Sequence, residues 1–287
     1  MLSSSTKYGE GDVLCGGIPG AVSRSNKMDN FFITRDFDWQ IRRSSNLDRA
    51  INIITRRIGI NSDTAGIADK IIHRITGLKF SPARSGVSTS IEQRMNMYHL
   101  ASQVIAYNVE GDLVEVGCNE GHSSVLFTKV INSFNSNKKL HVYDSFEGLP
   151  SARTEDGDAY KKGDLATTQD VLLNNFKLHG LEPPAIHKGW FDNTLLDGLP
   201  EKVCFAHLDG DLYDSILVSL KYVYPRLSRG AICLIDDYCD PNINPDGWNH
   251  LPGVKKACDE FMSDKPEQIC YVYSGAFTHA YFRKDAS

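Results

Sequence analysis

The stretch that most constrains this chain is a short apolar run followed by two glycines and a second apolar pattern. Residues 113–116 form the apolar run, Gly117 and Gly121 bracket a tight turn, and residues 123–127 begin a helical pattern. An apolar run of this length is typical of a buried strand in a parallel sheet. A strand, a glycine turn and a helix together present backbone N–H groups and a helix N-terminus to a ligand. The stretch therefore predicts a ligand-binding unit inside an α/β fold.

An acidic residue ends the next predicted strand. Residues 140–143 form a second short strand that is followed by Asp144. An aspartate in this place can accept hydrogen bonds from both hydroxyls of a ribose. The two segments together predict a nucleoside cofactor, although a plain strand-to-helix turn with a solvated carboxylate would show the same short motif.

The residues of the turn favour S-adenosylmethionine over a dinucleotide. A dinucleotide site requires G-x-G-x-x-G, and the second and third glycine positions here hold Asn119 and His122. Glu115 would repel a pyrophosphate, but it suits a cationic ligand group. S-adenosylmethionine carries a ribose, a sulfonium and an ammonium and has no phosphate, so it fits these residues.

Length, charge and cysteine content restrict the class of protein. The 287 residues suit one α/β domain with an appendage, or two small domains. The net charge is −5 and the basic residues are scattered, so nucleic-acid binding is not expected. The seven cysteines include no C-x-x-C pair, and no signal-peptide pattern is present, which predicts reduced thiols in the cytoplasm. No apolar run approaches the ~18 residues that span a bilayer, so no membrane insertion is expected.

The order of the predicted elements indicates three regions. Residues 1–36 are predicted to be a loosely ordered arm, residues 37–108 a helical subdomain that covers the site or contacts another subunit, and residues 109–287 the cofactor-binding domain. Further strands are expected at residues 185–188, 203–208 and 231–235, and a terminal hairpin at residues 269–273 and 280–283. Strands that alternate with helices imply an α/β fold with a mostly parallel, doubly wound sheet and a C-terminal antiparallel hairpin. Ligands of such sheets bind at the carboxyl ends of the strands.

Three carboxylates follow two of these strands. Asp209 follows the fourth strand, and Asp236 and Asp237 follow the fifth. If the two strands are neighbours, the carboxylates converge, and one pair at ~4 Å repels by ~4 kcal/mol at an effective dielectric constant of 20. A cation removes this cost, and all-oxygen ligands suit Mg²⁺. The alternative for Asp236 and Asp237 is a solvated turn.

Several nearby side chains have two interpretations. Asp214 precedes a helix and is a better candidate for its N-cap than for a metal ligand. Asp211 either supports the metal site from behind or contacts substrate. His207 lies in an apolar strand and is expected to pack in the core. Trp190 and Phe191 either flank an adenine ring or pack in the core.

Five motifs in this order resemble the macrocin/mycinamicin (TylF-type) sugar O-methyltransferases over about residues 85–285. They are EVGCNEGH from Glu115, DSFEGLP from Asp144, GWFDNTL from Gly189, LDGDLYDS from Leu208 and IDDY from Ile235. The resemblance implies a Rossmann-like class I methyltransferase fold, S-adenosylmethionine as cofactor and Mg²⁺ held by Asp209, Asp236 and Asp237. It also implies assembly as a homo-oligomer.

The site predicted from these motifs has a cofactor part and a catalytic part. The predicted cofactor-binding residues are Glu115, Gly117, Cys118, Asn119, Gly121, Ser123, Asp144, Ser145, Trp190 and Asp209. Asp209 is expected to be both a metal ligand and a proton acceptor, and His279 on the last strand is a weaker candidate for the general base.

The expected activity is methyl transfer to a hydroxyl group of a small natural product, in particular of its sugar. Other interpretations are a catechol or phenol O-methyltransferase, a nucleoside-binding module without catalysis, and a dehydrogenase, which the missing glycines disfavour. The loops at residues 151–163 and 239–252 are rich in polar side chains and are expected to line the acceptor pocket. Because a sugar needs several polar partners and a flat phenol needs apolar walls, these loops favour a sugar.

Overall fold

The computed structural model describes residues 89–245, 247–274 and 277–285. The predicted arm and residues 37–88 of the predicted helical subdomain lie outside this part of the chain, so the division into three regions stays a prediction. The described helices and strands are, in chain order, α1 (Ile91–Ala106), β1 (Asp112–Val116), α2 (His122–Ser133), β2 (Leu140–Asp144), α3 (Gln169–Leu178), β3 (Ala185–Lys188), α4 (Phe191–Gly198), β4 (Val203–Leu208), α5 (Tyr213–Val223), β5 (Leu227–Asp236), α6 (Pro252–Met262), β6 (Cys270–Ser274) and β7 (Phe277–Arg283). Two short 3₁₀ helices, Thr154–Asp156 and Tyr224–Arg226, complete them.

The strands form one sheet in the order β3-β2-β1-β4-β5-β7-β6. Strands β1 to β5 run parallel, and β7 runs antiparallel to both β5 and β6. The predicted mostly parallel sheet with a C-terminal antiparallel hairpin is confirmed. The strand order reverses between β1 and β4, which places a crevice outside the carboxyl ends of these two strands.

The core lies on both faces of the central strands. All six residues of β4 are buried, as are Val116 of β1 and Ile235 of β5. Such strands read as continuous apolar runs because helices cover both faces of a parallel sheet. Glu115 and His207 are polar exceptions within β1 and β4, and both are fully buried.

Helix α1 begins at a capping box. Ser90 is the N-cap: its side chain accepts a hydrogen bond from the Gln93 backbone at 3.1 Å, and Gln93 Oε1 accepts one from the Ser90 backbone at 2.8 Å. Helix α1 packs on α2 and β5, and it buries Met97, Ala101 and Val104.

Two helix starts differ from the sequence-based expectations. Helix α4 was not predicted, because its N-cap is Trp190, whose side chain makes no capping hydrogen bond. Helix α5 begins at Tyr213 with Leu212 as its N-cap, so Asp214 is not the cap that we expected. The Asp214 carboxylate lies in the first turn and pairs with Arg153 Nε at 2.5 Å.

Within the described ranges, no helix combines the length and apolar character needed to cross a bilayer.

Candidate active site

A cavity of about 360 Å³ lies at the carboxyl ends of the central strands. Its volume is in the range of pockets that bind small ligands. Most residues predicted for the site line this cavity: Gly117, Cys118, Asn119, Ser123, Asp144, Ser145, Trp190, Asp209, Asp236 and Asp237. Three predicted site residues, Glu115, Gly121 and His279, are not on its wall.

The glycine turn is held in place by close approaches that only glycine allows. Gly117 has φ +88°, and a Cβ there would lie 1.8 Å from the backbone oxygen of Asp209. Gly121 is the N-cap of α2 with φ +80°, and a Cβ there would lie 2.8 Å from Leu172 Cγ. The turn after β1 therefore touches the backbone that follows β4, which brings the two halves of the site together.

Asp144, at the end of β2, shapes the cofactor part of the cavity. Its Oδ2 accepts hydrogen bonds from the backbone N–H groups of Cys118 at 3.1 Å and Asn119 at 2.8 Å, and its Oδ1 accepts one from Phe146 at 2.7 Å. Burial raises the pKa of Asp144, although these three donors act against the rise. The carboxylate thus positions the glycine turn as well as facing the cavity.

Three carboxylates meet in the other half of the cavity. Oxygen atoms of Asp209, Asp211 and Asp237 all lie within 4.8 Å of one another. Asp211 has φ +60° and Asp237 has φ +56°, so the backbone adopts a left-handed conformation at two of the three residues. We call these three side chains the carboxylate cluster.

The carboxylate cluster has no basic partner. Among the described residues, no lysine or arginine nitrogen forms an ion pair with Asp209, Asp211 or Asp237. Burial and the neighbouring carboxylates raise the pKa of Asp211 to about 7, and the same causes hold the pKa values of Asp209 and Asp237 well above their usual range. The arrangement is unfavourable without a cation, and its all-oxygen donors suit Mg²⁺.

Asp236 lines the same cavity as the cluster, but its closest titratable neighbours are His207 and His279. Asp236 is the last residue of β5 and pairs with His279 of β7, so the strand has not yet ended there as the sequence suggested. Its Oδ1 accepts hydrogen bonds from His279 Nε2 at 2.9 Å, Gln93 Nε2 at 2.9 Å and the Asp237 backbone at 3.0 Å. Burial alone would raise the pKa of Asp236, but the imidazoles of His279 and His207 outweigh it and lower the pKa.

Glu115 and His279 occupy different positions from those that we expected. Glu115 accepts a hydrogen bond from Ser124 Oγ and pairs with His207 Nδ1 at 3.1 Å, so its cationic partner is an imidazole and not a ligand group. Burial lowers the pKa of His207, but the carboxylates of Asp236 and Glu115 outweigh it and raise that pKa to about 10. His279 is fully buried behind Asp236 and does not reach the cavity as a base would need to. His207 is buried, as expected.

The loops that were expected to line the acceptor pocket contribute aromatic side chains to the wall of the cavity. Tyr160, Trp248 and Phe277 line it, and the rings of Trp248 and Phe277 have their centroids 6.0 Å apart. The charged side chains expected there pair elsewhere; Asp240, for example, lies 3.5 Å from Lys255 Nζ. The predicted polar lining is therefore wrong for the described loops, because Arg153, Glu155 and Asp240 pair with side chains of α5 and α6 and do not line the cavity.

Sequence reasoning missed two kinds of cavity residue. The sequence around Gln93 fits a capping box, but the bond from Gln93 to Asp236 depends on a contact across the fold. Phe277 was not identified as a cavity residue because nothing in its local sequence distinguishes a cavity wall from a core, whereas Tyr160 lies in the 151–163 loop that was expected to line the acceptor pocket.

Comparison with solved structures defines the class of protein. The structure of the O-methyltransferase NovP superimposes with a TM-score of 0.59 at 27% identity, covering 69% of this chain and 81% of that one. The fold and the site at the carboxyl ends of its strands are those of a class I methyltransferase. The expected fold class is confirmed.

Sequence comparison identifies the family. The profile of the macrocin-O-methyltransferase (TylF) family matches residues 67–262. The chain belongs to this family of O-methyltransferases, which confirms the resemblance seen in the five motifs.

Two curated relatives show the closeness of the match. The chain is 31% identical over 193 residues to the demethyldecarbamoylnovobiocin O-methyltransferase of Streptomyces niveus, covering 63% of this chain and 70% of the relative. It is 30% identical over 167 residues to the 8-demethyl-8-(2,3-dimethoxy-alpha-L-rhamnosyl)-tetracenomycin-C 4'-O-methyltransferase of Streptomyces olivaceus. That second match covers 55% of this chain and 64% of the relative, so the chain spans just under two thirds of its length.

Proposed function

We propose that the protein transfers the methyl group of S-adenosylmethionine to a hydroxyl group on the sugar of a natural product, in a reaction that depends on Mg²⁺. The observation that carries the proposal is that the Asp144-bound glycine turn and the carboxylate cluster open onto the same cavity. The names of the relatives support the acceptor, since one describes methylation of a rhamnosyl tetracenomycin and another methylation of a novobiocin precursor.

The cofactor half of the cavity fits a nucleoside. Oδ2 of Asp144 already accepts two backbone hydrogen bonds, whereas Oδ1 accepts one and retains a lone pair that a ribose hydroxyl can use. Trp190 is 37% exposed and lines the cavity, so its ring offers a stacking surface for adenine. Cys118, Asn119, Ser123 and Ser145 complete this wall. These side chains position the methyl donor beside the carboxylate cluster.

The residues of the carboxylate cluster fit a divalent cation. Asp209 and Asp237 belong both to the set implied by the family resemblance and to the set that the structure brings together with Asp211. When bound there, Mg²⁺ would lower the pKa of the acceptor hydroxyl. With the cation bound, Asp209, Asp211 and Asp237 would fix where the acceptor hydroxyl lies relative to the methyl donor, and such positioning can account for a large part of the rate enhancement.

The transfer is a direct displacement. The acceptor oxygen forms a bond to the methyl carbon while the carbon–sulfur bond breaks, and the electron pair of that bond stays on sulfur to give S-adenosylhomocysteine. The hydroxyl proton passes to a carboxylate, for which we propose Asp209 because it lines the cavity. His279 has no such access, so we assign it no direct part in the chemistry.

A mass-spectrometric assay tests this function. The purified protein is incubated with S-adenosylmethionine, Mg²⁺ and a panel of glycosylated natural products and catechols, with EDTA-treated samples in parallel. We expect one added methyl group on a glycoside and its loss after chelation. Activity that survives exhaustive chelation would exclude the metal-dependent step, and calorimetric binding of NAD in preference to S-adenosylhomocysteine would exclude the cofactor.

A phenol is the second candidate acceptor, because Tyr160, Trp248 and Phe277 give the cavity the apolar walls that a flat ring needs. The same panel decides between the two. Turnover of catechols without turnover of any glycoside would assign the protein as a phenol O-methyltransferase.

Assembly and location complete the proposal. We expect a homo-oligomer, which light scattering after size-exclusion chromatography measures directly. We also expect a cytoplasmic location, since the six described cysteines are all unpaired and five of them are buried.

A further inference from the structure

Four buried side chains form a row directly beneath the carboxylate cluster. Glu115, His207, Asp236 and His279 lie on β1, β4, β5 and β7, which are neighbouring strands of the sheet. Glu115 is paired in register with His207, and Asp236 with His279, so the side chains of each pair project from the same face. Acidic and imidazole groups alternate along the row, which we call the acid–histidine row.

The contacts along the row converge on one carboxylate. His279 Nε2 and Gln93 Nε2 both donate to Oδ1 of Asp236, at 2.9 Å each. His207 Nε2 lies 3.8 Å from Oδ2, which is too long for a hydrogen bond but within ion-pair distance. Among the described residues, no donor lies within hydrogen-bond distance of Oδ2, so the two oxygens of Asp236 are used differently.

The same Asp236 oxygen also fixes the start of the next loop. Oδ1 accepts a hydrogen bond from the backbone N–H of Asp237 at 3.0 Å. Asp237 has φ +56°, a conformation that a residue with a side chain rarely adopts unless its surroundings impose it. This turn directs the Asp237 carboxylate into the cluster with Asp209 and Asp211. The orientation of the Asp236 side chain therefore affects where the Asp237 carboxylate lies in the cluster.

Gln93 connects the row to the first described helix. Its Oε1 completes the capping box of α1, while its Nε2 donates to Asp236. The Gln93 side chain thus links the N-terminus of α1 to Asp236 at the carboxyl end of β5. The link is buried, since 2% of the surface of Gln93 is exposed.

We propose that His279 and Gln93 are positioning residues: by donating to Oδ1 of Asp236, they fix the Asp236–Asp237 turn in the shape that lets the carboxylate cluster hold a divalent cation. The inference rests on the proposed function, because it takes the cluster as the cation site. Removal of the hydrogen-bond partner of a metal ligand typically weakens metal affinity by about 10- to 100-fold. His279 and Gln93 act on the proposed ligand Asp237 through its neighbour Asp236, so we take the lower end of this range.

The test measures cation binding directly, without turnover. Mn²⁺ is titrated into the protein, free Mn²⁺ is followed by electron paramagnetic resonance, and S-adenosylhomocysteine affinity is measured calorimetrically on the same samples. We compare the wild type with His279→Leu, which removes the donor, and His279→Gln, which keeps an N–H donor at a similar reach. The control is His141→Leu, which removes an imidazole from β2, where it contacts His187 instead of the cluster.

We expect His279→Leu to raise the dissociation constant for Mn²⁺ about 10-fold or more, and His279→Gln and His141→Leu to change it by less than about 3-fold. S-adenosylhomocysteine affinity should stay the same in all three variants. If His279→Leu does not fold, Gln93→Met, which removes the second donor, takes its place with the same expectation. Unchanged Mn²⁺ affinity in the donor-free variant would overturn the inference alone, whereas a wild type that binds no Mn²⁺ would overturn the metal site of the proposed function as well.

Discussion

Carboxylates at the two ends of the same sheet have opposite surroundings. At the amino end, Glu267 accepts hydrogen bonds from Lys284 Nζ at 2.7 Å, from the Tyr224 hydroxyl at 2.6 Å and from the Asp285 backbone at 3.1 Å. At the carboxyl end, Asp209, Asp211 and Asp237 gather without a basic partner among the described residues.

The difference separates a stabilising network from a binding site. Every oxygen of Glu267 has a donor, so its burial costs little and ties the C-terminal strand to the rest of the fold. The carboxylate cluster instead keeps mutual repulsion that raises its pKa values and that an added cation would relieve, and such groups are typical of functional sites. The amino end should therefore respond to mutation through stability, and the carboxyl end through ligand binding and catalysis.

The largest expected effect comes from the backbone that joins the two halves of the site. Gly117→Ala should destabilise the fold by about 4 kcal/mol or more, because its Cβ would overlap the Asp209 backbone oxygen, 1.8 Å away, at φ +88°. Chemical denaturation measures the loss.

Gly230→Ala at the amino end is the matched control for that substitution. Gly230 has a similar φ of +81°, but its Cβ would meet only Val109 Cγ2 at 3.6 Å. We expect a loss of about 1 kcal/mol there, from the left-handed conformation alone. Equal losses at the two glycines would show that the close approach to Asp209 is not what fixes the turn.

The second effect concerns activity. Asp209→Asn should lower kcat/KM by about 100-fold or more, since it removes both a proposed cation ligand and the proposed proton acceptor. In EDTA, the same variant should unfold at a temperature no lower than the wild type, because one of three repelling charges is gone. Asp240→Asn, outside the cavity and beside Lys255, is the control and should keep its activity. An Asp209→Asn enzyme that retains wild-type activity would remove Asp209 from the mechanism.

These contrasts also show which features the sequence made predictable. The strand–turn–helix unit was predictable because Gly117 and Gly121 follow an apolar run, and that signal is local. The approach of Asp209 to Asp237 was predictable because both follow strands that become neighbours in a doubly wound sheet. Both inferences need only chain order and the direction of the strands.

Features that depend on partners far along the chain were not predictable. Asp236 lines the cavity but is held by His279 and Gln93, which donate to it, and neither contact has a local signal. The acceptor wall was expected to be polar because loop composition was taken as a guide to orientation. Asp240 and Arg153 show why this fails: their charges pair with Lys255 and Asp214 outside the cavity, and aromatic rings face inward.

The third prediction tests the amino end. Lys284→Met should destabilise the fold by about 2–3 kcal/mol at neutral pH, because it leaves the Glu267 carboxylate buried without its cation and removes the contact of Lys284 with the Tyr224 ring, 4.1 Å away. Lys202→Met is the control: Lys202 and Glu110 are also 2.7 Å apart, but both are half-exposed or more, so no measurable loss is expected. Methyl transfer by both variants should stay at the wild-type level. A stability loss that is no larger for Lys284→Met than for Lys202→Met would show that burial of the pair does not matter.

The smallest effect is the pH dependence of the same network. Burial alone would raise the pKa of Glu267, but the donors from Lys284, Tyr224 and the Asp285 backbone outweigh it and lower the pKa from 4.5 to about 2. A carboxyl group whose pKa is lower in the folded state stabilises the fold above its unfolded pKa, and this contribution is lost as the pH falls toward the folded pKa. The contribution of Glu267 to stability is therefore lost between about pH 4.5 and pH 2.

Glu267→Gln lacks the titrating group, so its stability deficit relative to the wild type should shrink by about 1–2 kcal/mol between pH 5 and pH 3. Urea unfolding of both proteins across this range measures the change. A deficit that stays constant with pH would mean that Glu267 titrates alike in the folded and unfolded chains, and the contrast between the two ends of the sheet would then lose its electrostatic basis.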